Sequence, residues 1–425
     1  MMPPTRRSSA GERGLLLAGV LLLAGWAAVW GLSLCENRLL GGRFTWTGAW
    51  DFLGLDFLNP CLATRHWLAG GDPYREPFGD PREGTAQVAK FCYPPPVLPL
   101  FAWCGLLPPR QAVVVWTIVL AALAMWGAVL AWRTRRRLGL CKLPLPFVVA
   151  ALLCSTPVIF ALERGNFDLL VLPPLAGAAW ALQRRSAARD LLAGGGLALA
   201  TCLKVYPGLL VFSLLALGRW RALLCFAVAG LALGLPGLGY LPALHANLIE
   251  SSAHMAPVTI WHTCHSLSNS WQPLWAATPF AFLGHVPGTV AAGVFVLGLG
   301  LAISCRVARC PDRSRVLYPY LLWLAALATF LPRLANDYNF YYLPLAALAV
   351  WDRRDPLAVH VGMALLLFWW QPITVPIGVK ELFVFKVLGF LAVTASLGRR
   401  IAEQGQTAVD GRGTALALSP LQNCA

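Results

Sequence analysis

Charge is scarce in this chain of 425 residues: Asp, Glu, Lys and Arg make up 12% of it, and 58% is hydrophobic. A soluble domain carries roughly twice that charge, so a single water-soluble core is excluded. Long polar tracts and a Gly-X-Y period are also missing, which excludes a disordered or collagen-like chain. No GxGxxG or P-loop pattern offers a nucleotide-phosphate cradle. The twelve cysteines form no CxxC pair and the seven histidines no HExxH, so neither a metal nor another cofactor is expected. Acidic residues are rarer still, 19 against 34 basic ones, for a net charge of +15. In a soluble chain that excess would suggest nucleic acid. Here the basic residues sit in short clusters between apolar runs, the pattern of cytoplasmic loop ends, and no nucleic-acid partner is expected. The two halves show no self-similarity, which weighs against a transporter built from repeats.

The chain does have apolar runs close to the roughly 20 residues that cross a bilayer as helix. They lie near 14–35, 111–132, 146–162, 167–183, 191–203, 205–218, 222–240, 287–307, 316–332, 338–351, 357–376 and 381–398. Mean hydropathy is +0.62. The expected fold class is an all-α polytopic membrane protein with about 12 transmembrane helices. Arg6, Arg7 and Arg13 precede a first run too long for a signal-peptide core, so residues 1–13 read as a cytoplasmic N-terminus. Arg133–Arg137, Arg184-Arg185, Arg219–Arg221, Arg306–Arg315, Arg353-Arg354 and Arg399-Arg400 then fall on that same side. Residues 93–109, apolar and rich in proline, read as a re-entrant or interfacial segment; counting them as a full span would reverse everything after them. Lys204 and Pro207 divide 191–217 into two short helices meeting near the outer face. Residues 401–425 read as a loose cytoplasmic tail behind a membrane domain of 14–400.

With this orientation the remaining polar residues gather outside the cytoplasm, in loops at 35–92 and 241–286 and in short turns. The first loop holds Asp51, Asp56, Arg65, His66, Asp72, Tyr74 and Lys90; the second holds His254, His262, His265, Asn269 and Gln272. The turns add Arg164-Gly165-Asn166, Lys204, Arg333 to Asp337, and Lys380-Glu381. A charge at the edge of a span costs several kcal/mol unless paired or solvated, so these are functional candidates. Asp56 has two readings, the cap of an amphipathic interfacial helix or a catalytic carboxylate. Lys204, lone between apolar helices, requires an anionic partner, which a lipid phosphate would supply; snorkelling to the headgroups is the other reading. Arg164, Arg333 and Lys380 are further phosphate ligands or solvated turn residues. Asn166, beside Gly165, reads as a substrate ligand or part of a tight turn. Cys61, Cys92 and Cys264 lie outside the cytoplasm, where one disulfide among them is compatible with the redox state.

Leu55-Asp56-Phe57, Leu68-Ala69-Gly70-Gly71-Asp72-Pro73-Tyr74 and Phe91-Cys92-Tyr93-Pro94-Pro95 resemble the opening of glycosyltransferase family 87. Arg164-Gly165-Asn166, the Gly-rich stretch from Gly194 to Tyr206-Pro207, and Gly218-Arg219-Trp220-Arg221 continue the resemblance in order, across about residues 14–350. The resemblance implies a GT-C-like fold and a membrane enzyme using polyprenyl-phosphate mannose or a related lipid-linked sugar. It implies that the acidic residue of the first outer loop is catalytic; Asp56 matches that position, with Asp51 second. Some members carry a His pair in the outer turn after a Pro, whereas Pro332–Asn339 here has none. Asp337 or a histidine of the second loop such as His265 then substitutes, or Asp56 acts alone.

The expected reaction moves a hexose, mannose by family default, from a polyprenyl-phosphate donor to an extracytoplasmic lipid or glycan acceptor. Asp56 takes the proton of the acceptor hydroxyl as it attacks the anomeric carbon, and in-line attack inverts that centre. Lys204, then Arg164, Arg333 and Lys380, stabilise the departing phosphate. Asn166, Tyr74, Tyr93, His265 and Asn269 are the expected substrate contacts. A flippase of a lipid-linked sugar is the alternative from another class, and a scaffold with a decayed site is a third reading. The expected location is the cell membrane, with the active site on the extracytoplasmic face and both termini in the cytoplasm.

Overall fold

The computed structural model describes residues 10–36, 54–79, 90–254, 266–276, 278–332, 335, 337–368 and 379–418, which form helices and no strand. Prolines open several of the helices, because the N–H they lack has no partner in a first turn anyway. They stand at the start of α4 (Pro109–Arg137), α5 (Leu145–Leu153), α6 (Thr156–Arg164) and α7 (Leu172–Ala181), after α1 (Ala10–Glu36), α2 (Leu55–Leu68) and the short α3 (Val97–Leu100). Pro157 has no N–H for the Leu153 carbonyl, and there α5 and α6 bend by 61°.

Among the described residues four helical stretches are long and apolar enough to cross a membrane: Gly11–Leu32, Pro109–Arg137, Trp220–Glu250 and Gly288–Arg309. The bent α5–α6 pair makes a fifth if it counts as one span. Other expected spans appear as shorter apolar helices, Phe167–Ala181, Tyr206–Ala216, Leu317–Ala328, Asn339–Val350 and Leu357–Leu367. Burial is graded across these elements. Helices α14 (Leu317–Ala328) and α15 (Tyr342–Val350) are buried along their whole length. By contrast Leu17 and Leu21 of α1, Leu224 and Val228 of α10 (Trp220–Gly234), and Val290, Val294 and Leu301 of α13 (Gly288–Arg309) are exposed. Apolar residues on the outer surface and at the centre alike suit a bundle in hydrocarbon.

Three regions bear on the expectations from the sequence, the first in keeping with a segment that does not cross and the other two departing from them. Residues 93–109 contain only α3 and a 3-10 turn at Ala102–Leu106, too short to cross. Their carbonyls are covered from α2: the Thr64 hydroxyl donates to Leu98 at 3.2 Å, and the Arg65 guanidinium to Cys104 at 3.1 Å and to Leu107. Helix α10 does not end in a loop at 241 but runs through a 3-10 turn at Leu235–Tyr240 into α11 (Leu241–His254). The expected loose tail continues as helix, since α17 (Val379–Leu418) extends well past Arg400. Glu403 accepts there from Arg399 at 3.2 Å and Arg400 at 2.7 Å, spacings that hold a helix together. Cys61 and Cys92 are not joined in a disulfide, and Cys264 lies outside the described residues.

Two glycines bring distant segments to one point. Gly165 ends α6 in the left-handed conformation (φ 65°), and Gly54 (φ 78°) precedes α2. The Gly54 N–H donates to the Glu163 carbonyl at 2.7 Å. A Cβ on Gly165 would lie 2.9 Å from both Gly54 Cα and Phe57 Cβ, so only glycine permits the crossing. Gly165→Ala should therefore lower stability by more than the ~1–2 kcal/mol of left-handed strain alone. Thermal unfolding of the detergent-purified variant reads this; an unchanged midpoint would show that the two segments do not depend on this contact.

Candidate functional site

At this crossing the first turn of α2 faces the end of α6. The α2 N-cap is Gly54 and no side chain caps the helix, so Asp56 is not spent on its own backbone. Its carboxylate instead receives Arg164 at 2.5 Å on Oδ1 and Asn166 Nδ2 at 3.0 Å on Oδ2. Asn166 is fully buried and its orientation is fixed from the other side, because its Oδ1 accepts the Asp168 N–H at 3.0 Å. Asp56 is 8% exposed. A carboxylate has about four acceptor positions, so one held by two donors retains room for a hydroxyl.

Asp168 forms a second centre two residues further on, and nothing in the motif reading singled it out. Its side chain is fully buried. Lys204 Nζ lies 2.8 Å from Oδ1, while Oδ2 accepts the Tyr206 hydroxyl at 2.9 Å and the Asn339 amide. The Asp168 carbonyl accepts from Tyr341 at 2.7 Å, and the Tyr206 and Tyr342 hydroxyls lie 2.9 Å apart. Lys204 stands where α8 (Ala187–Leu203) gives way to extended backbone before a 3-10 turn at Tyr206–Leu210. Its ammonium lies over the rings of Tyr93 and Phe167, at 4.8 and 4.6 Å, a favourable setting for a cation. Among the described residues Asp168 is the anion that pairs with Lys204. The protein thus supplies internally the partner that the sequence reading sought in a lipid phosphate. The overlooked signal was a carboxylate at the head of an apolar run, the same sign that marked Lys204.

The other expected residues divide sharply. Tyr74 is buried, donates to the Tyr93 carbonyl at 2.8 Å and stacks on Tyr240, with ring centroids 4.8 Å apart. Burial pushes its phenol well above the ordinary value, so it serves as a neutral donor tying the first outer segment to the bundle. The Gly-Gly-Asp-Pro-Tyr motif is the corner that delivers it: Asp72 Oδ1 accepts the Tyr74 N–H at 3.0 Å. Beside this corner the Asp72 N–H and the His66 ring hold the Glu76 carboxyl below its usual range. Asn269 lies on α12 (Leu267–Ala276), in a polar groove of about 540 Å³ shared with Gln272, His285 and Thr289. Asp51, Arg333 and His265 lie outside the described residues, and of Asp337 and Lys380 only the backbone is described. No cluster of three or more metal-ligating side chains occurs among the described residues.

A contrasting polar cluster occupies the far end of α4. Trp116, near its start, donates to the Gly165 carbonyl at 2.7 Å, which fixes that end at the candidate site. Arg135, at about 28 Å along the helix axis from Trp116, donates to the carbonyls of Cys141 at 2.9 Å and Trp351. Arg400 pairs with Asp355 at 2.5 Å in the same region. Elsewhere Arg219 pairs with Asp190 at 2.7 Å and reaches the Leu182 and Arg184 carbonyls. Arg135, Arg219 and Arg400 are therefore buried clasps as well as members of basic clusters.

Residues 91–257 match the family model for glycosyltransferase family 87. The match supports membership of that family. It indicates a glycosyltransferase, and the apolar helices suggest a membrane protein. The family 87 match includes Arg164, Asn166, Asp168, Lys204 and Tyr206; Asp56, Asn339 and Tyr342 come from outside it. No curated protein matches the chain, and no solved structure matches it.

Asn166 carries both centres, so its loss should be felt at both. Asn166→Ala strands a buried backbone N–H at Asp168 and leaves Asp56 to Arg164. Stability should fall by about 1–3 kcal/mol, read by thermal unfolding. A change within error would mean that water replaces the amide.

Proposed function

We propose that the protein is an integral-membrane hexosyltransferase using a polyprenyl-phosphate-linked sugar, mannose being the default. The acceptor is an extracytoplasmic lipid or glycan. The single observation that carries this reading is the buried Asp56 carboxylate, oriented by Arg164 and Asn166 at the crossing of α2 and α6. Asp56 serves as the general base. As the acceptor oxygen attacks the anomeric carbon, its proton passes to Asp56; the bond from that carbon to the phosphate oxygen breaks on the opposite face, so the centre inverts. The prenyl phosphate leaves with the negative charge, and Lys204 is the cation assigned to it, assisted by Arg333 and Lys380. Arg164 is better used on Asp56, its partner in the structure. Asp51, Asp337 and His265 remain candidates for an assisting role, and Tyr93 and Asn269 for sugar contacts.

The overall architecture proposed is GT-C-like with about 12 spans, several of them short and kinked. The opposition of the two polar ends of α4 supports a site facing away from the cytoplasm: the Arg133–Arg137 cluster lies at one end and Trp116, beside the site, at the other. Both termini then lie in the cytoplasm of a cell-membrane protein.

Asp56→Asn keeps the shape and should reduce transfer from a polyprenyl-phosphate hexose by at least about a hundredfold, with the folded protein retained. Transfer at the normal rate would remove Asp56 from the mechanism. Orientation has its own test. Arg137→Cys, in a background without other reactive cysteines, should react with a membrane-impermeant maleimide only after the cells are opened. Labelling of intact cells would place the site on the cytoplasmic face.

A further inference from the structure

The two oxygens of Asp168 are held differently. Oδ2 is fixed by two neutral donors, the Tyr206 hydroxyl and the Asn339 amide; Oδ1 faces the Lys204 ammonium. The carboxylate would keep its place and its hydrogen bonds if Lys204 moved away. Lys204 is also the more mobile partner by construction, a flexible stem whose side chain is 14% exposed while that of Asp168 is fully buried. Its ammonium already lies against the Tyr93 and Phe167 rings, which attract a cation whichever anion it faces.

We propose that Asp168 is an internal counterion that competes with the donor phosphate for Lys204: it holds the ammonium while the site is empty, yields it to a prenyl phosphate, and reclaims it as that phosphate departs. Asp168 is thus a positioning residue acting through Lys204. The inference rests on the proposed use of a prenyl-phosphate donor and deepens it. Its physical content is a difference in sign. Without a rival anion Lys204 is free for the phosphate, so removing the charge of Asp168 strengthens phosphate binding. Removing a neutral donor from Oδ2 leaves the carboxylate more dependent on Lys204, and this weakens phosphate binding. A purely structural role for Asp168 would weaken it in both cases.

The experiment is titration of the full-length protein in detergent with farnesyl phosphate, with folding monitored by thermal unfolding. Asp168→Asn should bind about tenfold more tightly than the wild type. Tyr206→Phe should bind several-fold more weakly, and Lys204→Ala should lose most of the affinity. Asp168→Asn leaves a buried ammonium unpaired; if it does not fold, unchanged or tighter binding by Tyr206→Phe still overturns the proposal. Equal or weaker binding by folded Asp168→Asn also overturns it, and if Lys204→Ala still loses affinity the prenyl-phosphate reading survives. Absence of binding by the wild type would remove both.

Discussion

The contact on which the site depends is between two pieces of backbone, Gly54 and Gly165. The Gly54 N–H reaches the Glu163 carbonyl at 2.7 Å, and the missing side chains let the start of α2 lie directly against the end of α6. Everything chemically interesting follows from that closeness. Asp56 is two residues beyond one glycine; Arg164 and Asn166 flank the other. A side chain at either position would meet atoms already in place, since a Cβ on Gly54 would lie 2.9 Å from Val113. Buried charges near a membrane are tolerated only when paired at short range, and this crossing brings the pair to 2.5 Å.

Much of the first centre was legible in the sequence. Asp56, Arg164 and Asn166 stood out as polar residues at the edges of apolar runs, and the structure joins the three. What the sequence could not show is the pairing itself, because Asp56 and Arg164 are far apart in the chain and nothing local links them. The second centre was half legible. Lys204 was conspicuous, but Asp168 was absorbed into the apolar run that begins beside it, and nothing local ties Tyr206, Asn339, Tyr341 or Tyr342 to it. The rule that an ammonium between apolar helices needs an anion was sound; the anion lay on another helix of the same chain. The break at Lys204 follows from local chemistry, an extended residue ahead of Pro207, and so could be read without the fold. The continuation of α17 beyond Arg400 had a local sign as well, since Glu403 stands three and four residues after Arg400 and Arg399, spacings that favour a helix.

The basic clusters acquire a second meaning in the same way. As sequence they were counted for orientation, one positive charge being as good as another. In the bundle Arg135, Arg219 and Arg400 are buried, and each satisfies carbonyls or carboxylates of other elements. Arginine suits this work because its planar fork can bind several oxygens at once while remaining charged. These three arginines therefore close carbonyl-rich helix ends as well as belonging to basic clusters.

The same difference between arginine and lysine separates the two cations of the site. Arg164 gives its guanidinium to Asp56 at 2.5 Å, and Asn166 takes the remaining oxygen, so the carboxylate is held from both sides. That arrangement favours a base that must not rotate as a hydroxyl approaches. Lys204 contacts a single oxygen of Asp168, and the carboxylate is otherwise satisfied by neutral donors. That arrangement favours a charge that can be transferred from one anion to another. In the proposed reaction the base has to stay and the phosphate has to come and go, and the cation near each carboxylate is of the kind its task requires. Exchanging the two, lysine at 164 and arginine at 204, would preserve the net charge and lose this division, because a planar, pre-organised guanidinium leaves a carboxylate less readily than a flexible ammonium does.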